Sequence, residues 1–207
     1  MIKVQNEADC CTITLARPER ANALTEEMLE SLALAASDAA AFAKVLILTG
    51  EGKVFSAGAD LDGMKNGLGL SPAWEAASAA IAAFPGLSIA ALNGTLAGGA
   101  MGAALACDIR IAVPSANFFY PVMRLGYRPQ PSDPGRLAAL VGPSRAKMIL
   151  LAGQKIVAET ALSWSLIDRI CPPDVLIDTA MSLADHALSA DPGHVAALKR
   201  MTNGDTP

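Results

Sequence analysis

The chemistry offered by this sequence sits more in its main chain than in its side chains. Two stretches couple an apolar run to a loop of small residues. Val45-Leu46-Ile47-Leu48-Thr49-Gly50 leads into Phe55-Ser56-Ala57-Gly58-Ala59-Asp60-Leu61. Ile89-Ala90-Ala91-Leu92 leads through Asn93-Gly94 into Gly98-Gly99-Ala100-Met101-Gly102. In α/β folds such loops stand at the C-terminal ends of strands, where backbone N–H groups and helix N-termini point outward. Small residues let a ligand approach the main chain closely. At the second stretch the free N–H groups open a helix, so a developing negative charge also feels the helix dipole. A pair of such donors aimed at one point makes an oxyanion hole. Glycine count alone favours the plainer alternative, tight packing of helices against strands. No G-x-G-x-x-G follows a strand and no Walker motif is present, so neither dinucleotide nor P-loop chemistry is indicated.

The elements that must hold these loops alternate along the chain. Ile2–Val4 and Cys10–Leu15 read as strands joined by the turn Asn6-Glu7-Ala8-Asp9. Thr25 is an N-cap candidate, with Glu26 and Glu27 in the first turn and Met28, Leu29, Leu32, Ala36, Ala39 and Phe42 at helical spacing. A buried strand over Lys44–Gly50 follows, then a helix near Pro72–Phe84. The unit repeats as strand Leu87–Leu92, glycine loop and helix Ala100–Ala106. Ile109–Val113 and Asn117–Tyr120 add short strands. Helices are expected near 135–141, 144–152, 158–164 and 175–190. The pattern predicts an α/β chain with largely parallel, buried strands. With no Pro/Ser linker, the expectation is one domain over 1–207, a core at 1–134 and a helical part at 135–207.

Composition narrows the partners. The chain has 207 residues, 52% hydrophobic and 17% charged, with 16 basic and 20 acidic side chains and a net charge of −4. This excludes disorder, and the absence of a Lys/Arg cluster argues against a nucleic-acid partner. Cys10, Cys11, Cys107 and Cys171 show no C-x-x-C or metal-ligand spacing, so buried reduced thiols and no metal are expected. The opening Met1-Ile2-Lys3-Val4-Gln5-Asn6-Glu7 is too polar for a signal peptide, which makes the cytoplasm the expected location. Ala76–Cys107 lacks any Asp, Glu, Lys or Arg over 32 residues, long enough to cross a bilayer. Pro85, Asn93 and five glycines break it, so it reads as core and not as a membrane span.

Several ordered motifs together resemble the enoyl-CoA hydratase/isomerase (crotonase) family. They are Leu15-Ala16-Arg17-Pro18, Asn22-Ala23-Leu24-Thr25, Ile47-Leu48-Thr49-Gly50, Phe55-Ser56-Ala57-Gly58-Ala59-Asp60-Leu61, Ala90-Ala91-Leu92-Asn93-Gly94, Gly98-Gly99 and Ala106-Cys107-Asp108-Ile109-Arg110-Ile111-Ala112. Arg136-Leu137, Leu151-Ala152-Gly153, Ala161-Leu162 and Leu166-Ile167-Asp168 fit as well, so the likeness runs from about residue 10 to about 190. It implies a spiral of β-β-α turns with a helical C-terminal part, assembled as a homo-oligomer (a trimer or a dimer of trimers). It implies an acyl-coenzyme A thioester as substrate, with no cofactor beyond that coenzyme A. The thioester carbonyl would sit between the N–H groups of Ala59 and Gly99. Ala57, Gly58, Asp60, Leu61 and Gly98 would border the ligand, and Arg20 would reach a phosphate.

The sequence departs from that family where protons are moved. The two glutamates of the family's hydratases map onto Gly102 and Val122, and neither can carry a proton. Acid–base groups contribute about 10²–10⁴ each, so an efficient two-glutamate hydratase is not expected. The stiff segment Arg128-Pro129-Gln130-Pro131-Ser132-Asp133-Pro134 offers Asp133 as a relocated base, against plain turn chemistry. Tyr120 is the candidate proton donor, against a simple core aromatic. His186 and His194 are expected at surface or interface positions, and Trp74 and Trp164 as helix packing. Decarboxylation suits this set best, because losing carbon dioxide makes the enolate with no proton abstraction; double-bond isomerisation with Asp133 as base comes next, and a non-catalytic acyl-CoA binder is the alternative. Family members commonly carry further C-terminal helices beyond the point where this sequence stops.

Overall fold

A computed structural model describes residues 1–204; the last three of the expected helical part, 205–207, lie outside the described residues. β1 (Ile2–Glu7) and β2 (Cys10–Leu15) form an antiparallel hairpin paired from Ile2↔Leu15 to Glu7↔Cys10. The first strand runs longer than the Ile2–Val4 apolar pattern because ladder bonds to buried β2, not side-chain burial, hold its exposed residues. α1 (Glu26–Ala39) starts where expected: Thr25 Oγ1 accepts from Met28 N at 3.2 Å. Such a cap is worth about 1 kcal/mol. β3 (Val45–Gly50) is buried on both faces, as a central parallel strand must be.

Three-residue β4 (Val54–Ser56) and the short helix α2 (Leu61–Lys65) precede α3 (Ala73–Ala82), which packs on α1 and buries Trp74, Ala77 and Ile81. β5 (Leu87–Leu92), β6 (Thr95–Ala97) and α4 (Met101–Leu105) repeat the unit. β7 (Ile109–Ala112), β8 (Asn117–Phe119) and α5 (Val122–Leu125) repeat it again. Then follow α6 (Asp133–Val141), α7 (Pro143–Leu150), β9 (Ile156–Val157), α8 (Ala158–Ser163), β10 (Arg169–Ile170), α9 (Leu176–Ser189) and α10 (Pro192–Thr202).

The strands divide by length. The longer ones, with two-residue β10 at the edge, build a six-stranded sheet, β1-β2-β3-β5-β7-β10, parallel from β2 to β10. The short strand after each central one joins a second sheet, β4-β6-β8-β9. Each repeat therefore gives one strand to each sheet and returns through helix, the β-β-α spiral expected above. The charge-free stretch Ala76–Cys107 is divided among α3, β5, β6 and α4. No helix of the described residues is long and apolar enough to cross a membrane.

Burial is dense around β3 and β5, with Phe55, Phe84 and Phe118 fully enclosed. Each such side chain contributes about 2–3 kcal/mol by leaving water. Buried Arg110 ties β7 to the segment between α8 and β10: its guanidinium donates to Leu166 O at 3.0 Å, and also to Cys107 O, just before β7, at 2.6 Å. All four cysteines are buried and free. Burial pushes the Cys11 thiol up to about 11 and the Cys107 thiol up to about 12.

Candidate active site

The two glycine loops leave the same ends of adjacent parallel strands. β4 pairs with β6 as Val54↔Thr95 and Ser56↔Leu96, so the loops continue side by side. They also touch: a β-carbon on Gly58 would stand 2.9 Å from Ala97 O and 3.3 Å from Gly98 Cα. Gly58 is held at φ +95°, a conformation glycine adopts at little cost. Beyond it, Ala59 forms an isolated parallel bridge with Leu24. Leu24 N donates to Gly58 O at 2.7 Å, and Asp60 N donates to Leu24 O at 2.9 Å. Those bonds use the neighbours of Ala59 and turn its own N–H to the opposite side. Gly99 lies in the single 3-10 turn Gly98–Ala100 that opens α4, where the first N–H groups have no intrahelical acceptor. Neither the Ala59 nor the Gly99 N–H donates to another group among the described residues. Both residues line one cleft of about 270 Å³.

Side chains below the loops fix them. Asn22, fully buried at φ +53°, donates to Glu51 O at 2.9 Å and Val54 O at 2.7 Å, while its Oδ1 accepts from Arg17 N. Ser56 Oγ donates to Asn22 O and accepts from Gly58 N. Asp60 is spoken for on both oxygens: Oδ1 pairs with Arg17 at 2.7 Å, and Oδ2 caps α2 through the N–H groups of Asp62 and Gly63. The Arg17 hydrogen bond first, and the Gly63 N–H next, hold its carboxyl below the usual carboxylate range. Asp60 thus sets the course of the chain just after Ala59.

The two side chains chosen as proton handlers meet. Tyr120 Oη donates to Asp133 Oδ2 at 2.8 Å. Tyr120 is 3% exposed and lines the cleft; Asp133, the first residue of α6, is 1% exposed and stands behind it. Turn chemistry is therefore not what the Asp133 carboxyl does. Its Oδ1 is buried without a partner and lies over α4, where a β-carbon on Gly102 would stand 2.7 Å away. Burial pushes the Asp133 carboxyl up to about 6, against the pull of the Tyr120 hydrogen bond and of Arg136, with Glu75 adding to the rise. Burial, then the Asp133 charge and hydrogen bond, raises the Tyr120 phenol well above its ordinary value. Glu75 on α3 anchors this arrangement by accepting from Ser132 N at 3.3 Å and from Ser132 Oγ.

The remaining expected residues divide. Ala57, Leu61 and Gly98 line the same cleft, with Leu61 79% exposed, while Gly58 is buried beneath. Arg20 is exposed on the 3-10 turn Pro18–Arg20 and is not on the cleft wall. The cations there are Arg124 and Arg128, which sequence reading passed over; their signal was proximity to Tyr120 and Val122. Trp74 does more than pack helices: its indole lies on Gly99, where a β-carbon would stand 2.9 Å from the ring. Its Nε1 donates to Leu68 O at 2.8 Å, which fixes the ring. His186 and His194 are exposed on α9 and α10, as expected.

Comparison with known proteins agrees with the fold. The family model described as enoyl-CoA hydratase/isomerase matches residues 5–206. A Mycobacterium leprae protein named "Probable enoyl-CoA hydratase echA6" is 33% identical over 210 residues, covering 99% of this chain and 83% of its own. The 1,2-epoxyphenylacetyl-CoA isomerase of Escherichia coli is 33% identical over 208 residues, covering 95% of this chain and 79% of its own. Among solved structures, an enoyl-CoA hydratase from Bacillus anthracis superposes with a TM-score of 0.90 at 31% identity, covering 98% of this chain and 83% of its own. With nearly its whole length matched at these identities, the chain belongs to the enoyl-CoA hydratase/isomerase family.

Proposed function

We propose that this protein is an acyl-CoA isomerase that forms a thioester enolate between the N–H groups of Ala59 and Gly99 and moves the proton through Tyr120 and Asp133. Support for the first half is the pair of unspent N–H groups on adjoining loops of one cleft. As a proton leaves the carbon beside the carbonyl, its electron pair forms a carbon–carbon double bond and charge collects on the thioester oxygen. Two preorganised donors lower the cost, each by about 3 kcal/mol.

The second half rests on one observation, the 2.8 Å hydrogen bond from Tyr120 to a buried Asp133 carboxyl near neutrality. At neutral pH Asp133 is mostly ionised and Tyr120 keeps its proton, so the pair is set to accept. Tyr120 Oη takes the substrate proton as its own proton passes to Asp133 Oδ2. The reverse transfer, onto the far end of the dienolate, completes a shift of the double bond with no net proton gained. Decarboxylation would require the pair to donate, which this charge state disfavours. The relative named as an isomerase is in keeping with this reading. The enclosure of Asp133 behind the Tyr120 ring favours a second reading, a binder of acyl-CoA that turns nothing over.

A panel of β,γ-enoyl-, malonyl- and methylmalonyl-CoA assayed by chromatography with mass spectrometry decides among them. The isomerase predicts a regioisomer of unchanged mass from the β,γ-enoyl thioester, lost in Ala59→Pro, which deletes one N–H. Mass loss from malonyl-CoA would instead indicate decarboxylation. Saturable binding with no product from any member would leave the binder.

A further inference from the structure

The sequence is poor in aromatic residues, with two Trp, two Tyr and five Phe among 207. Four of these nine, Trp74, Phe119, Tyr120 and Tyr127, nonetheless line the single cleft that holds Ala59 and Gly99. Both tyrosines of the chain are among them. The four come from three parts of the chain and meet only through the fold: Trp74 from α3, Phe119 and Tyr120 from β8 and its end, and Tyr127 from the loop before α6.

The rings are also held as fixed faces. Trp74 is 4% exposed, its Nε1 is engaged with Leu68 O, and its indole rests on Gly99, directly beside one of the two donors. Tyr120 is tied at its hydroxyl to Asp133. Tyr127 lies over Gly69 with Met64: a β-carbon on Gly69 would stand 2.7 Å from Tyr127 Cε1 and 2.9 Å from Met64 Cε. The wall has one methionine, Met64, the kind of adaptable side chain that follows a flexible alkyl chain, against four rings. Tethered rings suit a flat, rigid group instead, because stacked or edge-to-face aromatic pairs gain beyond the area they bury.

We infer that the acyl group taken by this cleft ends in an aromatic ring, an arylacetyl-type thioester seated among Trp74, Phe119 and Tyr127. This rests on the acyl-CoA reading of the same site and names the class of acyl group within it.

The test compares phenylacetyl-CoA with octanoyl-CoA, matched in acyl carbon count, and free coenzyme A, by calorimetric titration of the wild-type protein. Phenylacetyl-CoA is expected to bind about tenfold more tightly than octanoyl-CoA, the scale of one good ring–ring contact. Trp74→Leu and the half-exposed Tyr127→Leu should each bring the ratio towards one, with affinity for free coenzyme A unchanged. Equal or tighter binding of octanoyl-CoA to the wild type overturns the inference and leaves the acyl-CoA reading standing. So does a ratio that survives in both variants. If neither thioester binds better than free coenzyme A, the acyl-CoA reading of the cleft falls, and this inference with it.

Discussion

A β-carbon on Gly102 would stand 2.7 Å from Asp133 Oδ1, so α4 admits the Asp133 carboxyl only because residue 102 has no side chain. The family resemblance puts a hydratase glutamate at residue 102. In this chain the space beside that position is filled by a carboxyl delivered from α6, held by its bond to Tyr120 and by the Glu75–Ser132 anchor. The two carboxyl placements exclude each other.

Gly102→Glu should therefore destabilise the protein by about 1–3 kcal/mol, from overpacking and from like charges meeting in the core. Adding Asp133→Ala should recover at least half of that loss. Urea unfolding of both single variants and the double variant gives the coupling directly; purely additive losses would contradict the exclusion.

Asp133 also links function to stability with a definite sign. Its carboxyl titrates near 6 when folded and near 3.8 in an open chain, so the folded state binds that proton more tightly. Folding is then opposed above about pH 6, by about 3 kcal/mol at most, and the penalty disappears as pH falls towards 4. Asp133→Asn should be more stable than the wild type at pH 8 and not at pH 4, while losing turnover. The melting temperatures of both proteins across that range check this.

The rate should follow the same group in the opposite sense. Proton abstraction needs ionised Asp133, so turnover should rise with pH through about 6 and level off above it. Tyr120→Phe should lower the plateau by about 10²-fold or more and remove the step. A profile that falls through pH 6 would mean that the protonated pair is the active one, as donation after decarboxylation requires.

Much of the fold and half of the site could be read from residue order. β3 and β5 announce themselves as apolar runs ended by turn residues, and Thr25 caps α1 as its side chain allows. The glycine loops were legible because only residues without bulk tolerate the contacts at Gly58 and Gly99. Strands as short as β4 and β6 carry no periodicity, and they were missed for that reason. The Tyr120–Asp133 bond joins residues separated by a proline-rich loop, and its closure depends on Glu75 from another helix. No spacing rule expresses that. The same applies to Arg124 and Arg128, whose place on the cleft wall depends on how α5 turns, and to Arg20, which the chain carries away from it.

Support beneath the first loop is open to a separate test. Asp60→Ala removes the α2 cap and the 2.7 Å partner of Arg17, at a cost of about 1–2 kcal/mol. Because Asp60 sets the chain after Ala59 and touches no substrate in this account, thermal stability and KM should both worsen. Asp60→Asn, which keeps the cap acceptor, should recover part of the stability.

The central claim is that the two N–H groups and the Tyr120–Asp133 pair together draw a proton from the carbon beside a thioester carbonyl. Incubation of phenylacetyl-CoA with the protein in deuterium oxide, followed by mass spectrometry, reads that step without requiring a complete turnover. The account predicts uptake of deuterium at that carbon by the wild type, with strong loss in both Ala59→Pro and Asp133→Asn. Saturating thioester that binds yet gains no deuterium above the enzyme-free rate would contradict it.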